Sequence, residues 1–268
     1  MSEGIVVRKD GSSAVENEDG IGVNAEKVER IIQQHLLLRE HGFHTAEINS
    51  GAVSEGKRAV IEMDRDPEAY TYKTLAMIGM PNHFSTWQVG GKKHGLLVPS
   101  SLATDIELRH SKEGKEIKGG MGEAIKHNEL LLVGNYHDEA DSKEMKIYQK
   151  LAALRQIIRG NVLKTEDEEN DGYSYIFARA AGAKILLLCT TVDGFYEDGK
   201  KRDTINVKEI GRLLKKCGPG TKSGKGGMRT KLLAAKNAAK AGITVVIGHT
   251  EEDSISLIEG NAGTLVVQ

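Results

Sequence analysis

The apolar positions along the chain change period repeatedly, and each change marks an element. Ile5, Val6 and Val7 form a short β-type run that stops in Lys9-Asp10-Gly11-Ser12-Ser13. From Asn24 the period is helical: Val28, Ile31, Ile32 and Leu36 share one stripe, Asn24 is placed to cap the start, and Gly42 follows the end. A strand over Thr45 to Ile48 then runs into a turn of small residues, Asn49 to Gly56, so the order strand, helix, strand predicts a parallel βαβ unit. Further strands are expected at Leu130 to Val133, Lys184 to Cys189, Ile243 to Ile247 and the closing run after Gly263. Helices are expected at Lys143 to Arg159, where Ile147, Leu151, Leu154 and Ile158 repeat at helical spacing, and at Tyr173 to Ala181, around Val207 to Lys216, and after Met228. Strands alternating with helices predict an α/β fold, a three-layer αβα sandwich around a mostly parallel sheet covered on both faces.

Two stretches resist the pattern. Asp64 to Ser111 holds Pro67, Pro81 and Pro99 and the only tryptophan, Trp87, and reads as helices with irregular connections, including a turn at Gly90-Gly91-Lys92-Lys93. Lys118-Gly119-Gly120-Met121 repeats the tetrapeptide at Lys225 to Met228 and, like it, precedes an expected helix. It reads as a loop, with a second anion-binding loop as the alternative.

Composition narrows the function classes. A chain of 268 residues, 39% hydrophobic, can bury a sizeable core. With 37 basic against 38 acidic residues there is no basic excess for a broad nucleic-acid surface, and 4% aromatics supply few stacking platforms. The apolar runs are too short to cross a bilayer and the start lacks the apolar core of a signal peptide, so a soluble cytoplasmic protein is expected. Cys189 and Cys217 fit neither a disulfide framework nor a zinc site, and the nine histidines lack metal-ligand spacing.

The candidate chemistry gathers at strand ends, where open α/β sheets place their ligands. Lys9 ends the first strand; Ser50 and Gly51 follow the second; Asn135 and Asp138 follow the third and can bind ammonium or amide groups; Thr190 and Thr191 follow the fourth. The stretch Lys222 to Lys231 is a glycine-rich basic loop running directly into a helix whose alanines allow close packing and which Gly242 can end. Unpaired N–H groups at that helix start, with Lys225, Arg229 and Lys231 nearby, make a phosphate seat, although the spacing is not that of a Walker loop. A flexible basic surface turn is the plainer alternative.

Four of these segments together resemble the amino acid kinase family, and within it the glutamate 5-kinase branch. They are Val6 to Ser13, Asn49 to Gly56, Glu169-Asn170-Asp171 through Tyr196, and Gly226-Gly227-Met228-Arg229-Thr230-Lys231, the last being the most specific. The resemblance implies that Lys9 and Lys231 contact the ATP phosphates and the migrating phosphoryl group, with Asp171 organising the two lysines. It further implies that Ser50, Gly51, Asp138 and Asn170, with Asn135 close by, hold L-glutamate. Gly11, Thr190, Thr191 and the loop Lys225, Gly226, Gly227, Met228, Arg229, Thr230 and Lys231 would bind nucleotide, with Mg²⁺ carried mostly by ATP oxygens and water and no protein metal site. A homo-oligomer of one kinase domain is implied, with residues 1–165 forming an acceptor half, residues 166–268 a nucleotide half, and no RNA-binding-like C-terminal domain.

The chain departs from the family pattern in places. Asn135-Tyr136-His137-Asp138 stands where the family has Asn-Glu-Asn-Asp, Thr190-Thr191 where it has Thr-Asp, and Lys225 where threonine is common. These leave open a kinase acting on another small carboxylate or on a phosphate, or a non-catalytic nucleotide-binding module.

Overall fold

A computed structural model describes residues 4–104, 107–108, 113–136, 170–217 and 227–268. Ten strands are present among these residues. Eight of them form one sheet in the order β3-β4-β2-β1-β5-β9-β10-β8: β1 (Gly4–Asp10), β2 (Phe43–Ile48), β3 (Ser100–Ala103), β4 (Leu132–Tyr136), β5 (Ile185–Thr190), β8 (Thr204–Asn206), β9 (Thr244–His249) and β10 (Thr264–Val267). Every pairing in this sheet is parallel except β9 with β10. β6 (Phe195–Glu197) and β7 (Lys200–Arg202) form a separate antiparallel pair.

Two helical layers cover the sheet. One contains α1 (Ser12–Val15), α2 (Ala25–Glu40), α3 (Ala52–Ile61), α4 (Tyr72–Lys93) and α9 (Ser254–Ile258), and packs through Val15, Val28, Ile32, Met80, Trp87, Leu131, Val133, Val6, Leu38 and Leu257. The other contains α5 (Glu113–Lys126), α6 (Asn170–Ala181) and α8 (Met228–Lys240), and packs through Met121, Ile125, Phe177, Leu232 and Ala235 against Val7, Ile48, Leu186 and Leu188. The strand period of two divides β1 between the layers. Val7 and Lys9 face α6, while Val6, Arg8 and Asp10 face α2.

Local chemistry explains several boundaries. The Asn24 side chain accepts from the N–H groups of Glu26 and Lys27 and starts α2, and Gly42 leaves it with φ 86°. No helix of the described residues is long and apolar enough to cross a membrane.

Where the structure departs from the sequence pattern, packing is the reason. The turn expected at Asn49 to Gly56 lasts only to Gly51; Ala52 onward is α3. Gly90-Gly91-Lys92-Lys93 is the last turn of the 22-residue α4, because a Cβ on Gly90 would sit 2.8 Å from Ile32 Cδ1 and one on Gly91 2.5 Å from Val98 Cγ2. The Lys118 to Met121 echo is neither loop nor anion seat: it lies inside α5, whose Met121 and Ile125 are buried one turn apart. The third strand is shifted to Leu132–Tyr136, where it pairs with both β2 and β3 and takes in Gly134 and Asn135. The helix expected around Val207 to Lys216 shortens to α7 (Ile210–Leu213). The helix expected at Lys143 to Arg159, Asp138, and the loop residues Lys225 and Gly226 lie outside the described residues.

Candidate active site

β1 lies between β2 and β5 in the middle of the sheet, and Lys9 is its penultimate residue. Its ammonium Nζ lies 2.7 Å from Asp171 Oδ1, in the first turn of α6. Lys231, in the first turn of α8, reaches the same carboxylate from the other side, with Nζ 3.1 Å from Oδ1 and 3.4 Å from Oδ2. The Thr230 hydroxyl lies 2.6 Å from Asp171 Oδ2 and accepts from the Gly227 N–H at 3.0 Å, which ties the start of α8 to the start of α6. Two helix N-termini and a central strand end therefore converge on one carboxylate, each helix contributing partial positive charge.

The electrostatics follow from two cations sharing one anion. Lys9, Asp171 and Lys231 are all at least 93% buried. Burial acts to raise the Asp171 carboxyl, but Lys231 and Lys9 outweigh it and hold the group well below the usual carboxylate range. Burial pulls the Lys231 ammonium below its usual value and Lys9 repels it further, with Asp171 opposing both. The cluster carries a surplus positive charge in a dry setting, which suits a polyanion. Gly11 lies beside it, where a Cβ would be in ordinary contact with Lys9 Nζ at 3.5 Å.

The acceptor-side residues stand at the neighbouring strand ends. Ser50 and Gly51 follow β2; Ser50 is buried and Gly51 begins α3 with φ 131°, a conformation open to glycine. Asn135, on β4, is buried with Nδ2 3.7 Å from Met80 Sδ. The register Ile48 with Gly134 makes Asn49 and Asn135 neighbours on the face toward α4. Asn170 opens α6 directly before Asp171.

The expected nucleotide residues are distributed more widely. Thr190 ends β5 and its carbonyl accepts from the Thr250 N–H. Thr191 is exposed and lines a cleft with Ser13, Lys27, Arg30, His249 and Thr250 on the α2 side. Gly227 caps α8, Met228 packs half-buried on the main core, and Arg229 donates to the Leu214 carbonyl. Of the expected site residues, the structure brings Lys9, Asp171, Thr230 and Lys231 into direct contact.

Two features escape the strand-end reading. On the α2 face of β1 and β2 a fully buried polar network joins Arg8 to Asp10 at 2.7 Å, Arg8 to Ser254 Oγ at 2.8 Å, and Glu47 to His35 Nε2 at 3.0 Å, with the Asp10 N–H donating to Glu47. Burial and the nearby Asp10 push the Glu47 carboxyl far up, and burial with Arg8 and Arg39 pushes the His35 imidazole far down. The sequence signal was there: Arg8, Asp10 and Glu47 are charges at alternate positions of apolar strands. The second feature is His83 in α4, which lies in the stretch where periodicity failed.

A model of the amino acid kinase family matches residues 4–249. Among curated relatives, the glutamate 5-kinase of Streptococcus suis is 26% identical and matches 99% of this chain, which spans 71% of that protein. The glutamate 5-kinase of Trichlorobacter lovleyi is 25% identical over 93% of this chain and 62% of its own length, and that of Clostridium acetobutylicum is 26% identical over 98% and 94%. Among solved structures, the carbamate kinase of Giardia superposes over the whole chain with a TM-score of 0.65 at 12% identity, and the Giardia lamblia enzyme bound to AMP-PNP with 0.66 at 13%; each covers 99% or more of that structure, and both show the shared fold. The family match runs from β1 through β9, across every strand end and helix start that supplies Lys9, Ser50, Asp171 and Lys231, and on that ground the chain belongs to the amino acid kinase family.

Proposed function

We propose that the protein is an ATP-dependent kinase that transfers the γ-phosphoryl group to the side-chain carboxylate of L-glutamate, giving L-glutamyl 5-phosphate and ADP, the first step of proline synthesis. The observation that carries this reading is the pair of buried ammonium groups, Lys9 and Lys231, held by Asp171 at the convergence of β1, α6 and α8.

In phosphoryl transfer the negative charge spreads over the oxygens of the migrating group, so catalysis consists mainly of alignment and fixed positive charge. In this reading Lys9, in the central strand, and Lys231, at the start of α8, contact the ATP phosphates and the migrating phosphoryl group, and their sharing of Asp171 supports it. Asp171 would hold both ammonium groups in position while leaving the cluster one positive charge in surplus. A side-chain carboxylate is ionised near neutral pH, so its oxygen attacks the γ-phosphorus directly as the bond to the β-phosphate oxygen breaks, and no general base is needed. Mg²⁺ brought in with ATP would be held mostly by phosphate oxygens and water and would supply further positive charge there. Within this reading residues 1–165 form the acceptor half and residues 166–268 the nucleotide half.

Purified protein incubated with ATP, Mg²⁺, L-glutamate and hydroxylamine is expected to yield a trapped hydroxamate together with ADP. ADP release on another acceptor without a hydroxamate from glutamate would overturn the substrate assignment. A second acceptor, another small carboxylate or a phosphate, is favoured by one observation: Tyr136-His137 replaces the family's Glu-Asn at the acceptor loop. ADP formation across a panel of such acceptors separates the two readings.

A further inference from the structure

His83 lies in the middle of α4, fully buried, and neither ring nitrogen has a hydrogen-bond partner. Its polar edge faces the turn after β2: a Cβ on Gly51 would lie 3.1 Å from His83 Nδ1. One helical turn earlier, Met80 touches the Asn135 amide. α4 thus lies over the carboxyl ends of both β2 and β4, with Met80 on one and His83 on the other. The Oδ1 atoms of Asn49 and Asn135 are also buried and unpartnered. Asn49 Nδ2 donates to Glu47 Oε1 at 3.4 Å, so what the three elements bring to this corner of the sheet, beside Ser50, is buried side chains that each carry at least one unpartnered polar atom. Buried polar groups are nearly always paired, and a cluster of exceptions at a candidate site calls for a partner that binds there.

The chemistry of the corner is specific. The amide oxygens of Asn49 and Asn135 accept hydrogen bonds, which suits an ammonium group. Burial pulls the His83 imidazole down to about 4, so at neutral pH it carries one N–H donor and one bare acceptor nitrogen and no charge to repel an ammonium. A neutral donor beside two amide acceptors matches the α-carboxylate and α-ammonium of an amino acid.

We propose that His83 is a specificity-determining residue of the acceptor pocket, where with Asn49 and Asn135 it recognises the α-amino and α-carboxylate end of an amino acid and leaves the side-chain carboxylate directed toward Lys9. The proposal rests on the kinase reading above. It makes α4 a wall of the site, and it accounts for the glycine at position 51, since any side chain there would collide with the ring and with Val23 Cγ2.

The test compares wild-type protein with His83→Leu and His83→Asn, the second keeping one donor and one acceptor. KM for ATP and for the acceptor are measured on the acceptor that the wild type uses, and acceptor binding is measured by the rise in melting temperature. The melting temperature without ligand establishes that each variant is folded. His83→Leu is expected to raise the acceptor KM at least tenfold and to abolish the acceptor-induced thermal shift, with the ATP KM changed less than twofold and partial recovery in His83→Asn. A folded His83→Leu variant with unchanged acceptor KM and thermal shift would overturn the proposal and leave the kinase reading standing. Wild-type protein that binds an amino acid through His83 without producing ADP would overturn the kinase reading and leave the His83 assignment standing. A wild type that neither binds nor phosphorylates any acceptor overturns both.

Discussion

Lys9, Asp171 and Lys231 act as one unit, and single changes at these positions test different things. Lys231→Ala leaves Asp171 paired with Lys9, so the fold is expected to survive while turnover falls by about two orders of magnitude or more, the usual cost of removing a group that stabilises transition-state charge; steady-state ADP release reads this out. Asp171→Asn leaves two buried ammoniums facing each other without a counter-charge, and loss of stability is expected along with loss of activity. His83 makes a separate prediction. Its folded value, about 4, lies below the unfolded value near 6.5, so the unfolded chain binds more protons between them. The stability due to keeping the ring neutral is complete above about pH 6.5 and is lost as pH falls toward 4, by up to about 3 kcal/mol at the lower end. The urea midpoint of the wild type should therefore fall from pH 7 to pH 4.5 more steeply than that of His83→Leu, and parallel curves would refute this. Glu47, whose folded value is raised, works in the opposite sense, losing stability as pH rises above the carboxylate range, so only the comparison with the variant isolates the histidine.

At the scale of elements, α3 and α4 form a close contact. A Cβ on Gly56 would lie 1.9 Å from the Leu75 carbonyl oxygen, and one on Gly79 1.9 Å from the Ala52 oxygen, so the two helices touch backbone to backbone. Gly79→Ala must push α4 off α3, and a loss on the order of 2–4 kcal/mol is expected in denaturant unfolding. Because Gly79 is one turn before His83, the acceptor KM of the surviving folded fraction should rise while the ATP KM holds. This interface also shows why α4 was illegible. Gly79, Gly90 and Gly91 are locally poor helix residues, but close contacts across the layer leave no room for a side chain in those places; Pro81 also lies inside the helix, on its exposed side. By contrast α2 was legible throughout, since Asn24, the stripe of Val28, Ile31 and Ile32, and Gly42 all state the same helix locally.

For the whole molecule, the mostly parallel sheet brings residues that are far apart in the chain to a single edge. Lys9 and Lys231 are separated by most of the sequence and meet because β1 is central and α8 packs beside α6. If that edge binds nucleotide, a non-hydrolysable ATP analogue at about one hundred times its dissociation constant should stabilise the fold by roughly 2.7 kcal/mol, a shift of several degrees in melting temperature, and the shift should shrink in Lys231→Ala. The amino-acid sequence alone determined the alternation of strands and helices, the α/β class, and the strand-end lysine, small-residue turn and glycine-rich loop, because each of these is written in neighbouring residues as period, cap or turn chemistry. Tertiary structure alone decided which strands are neighbours, that Thr230 and Lys231 share Asp171 with Lys9, that Arg8, Asp10, Glu47 and His35 are buried together, and that His83 stands against Gly51. Those facts depend on contacts between residues tens to hundreds of positions apart, where burial and close packing outweigh every local preference.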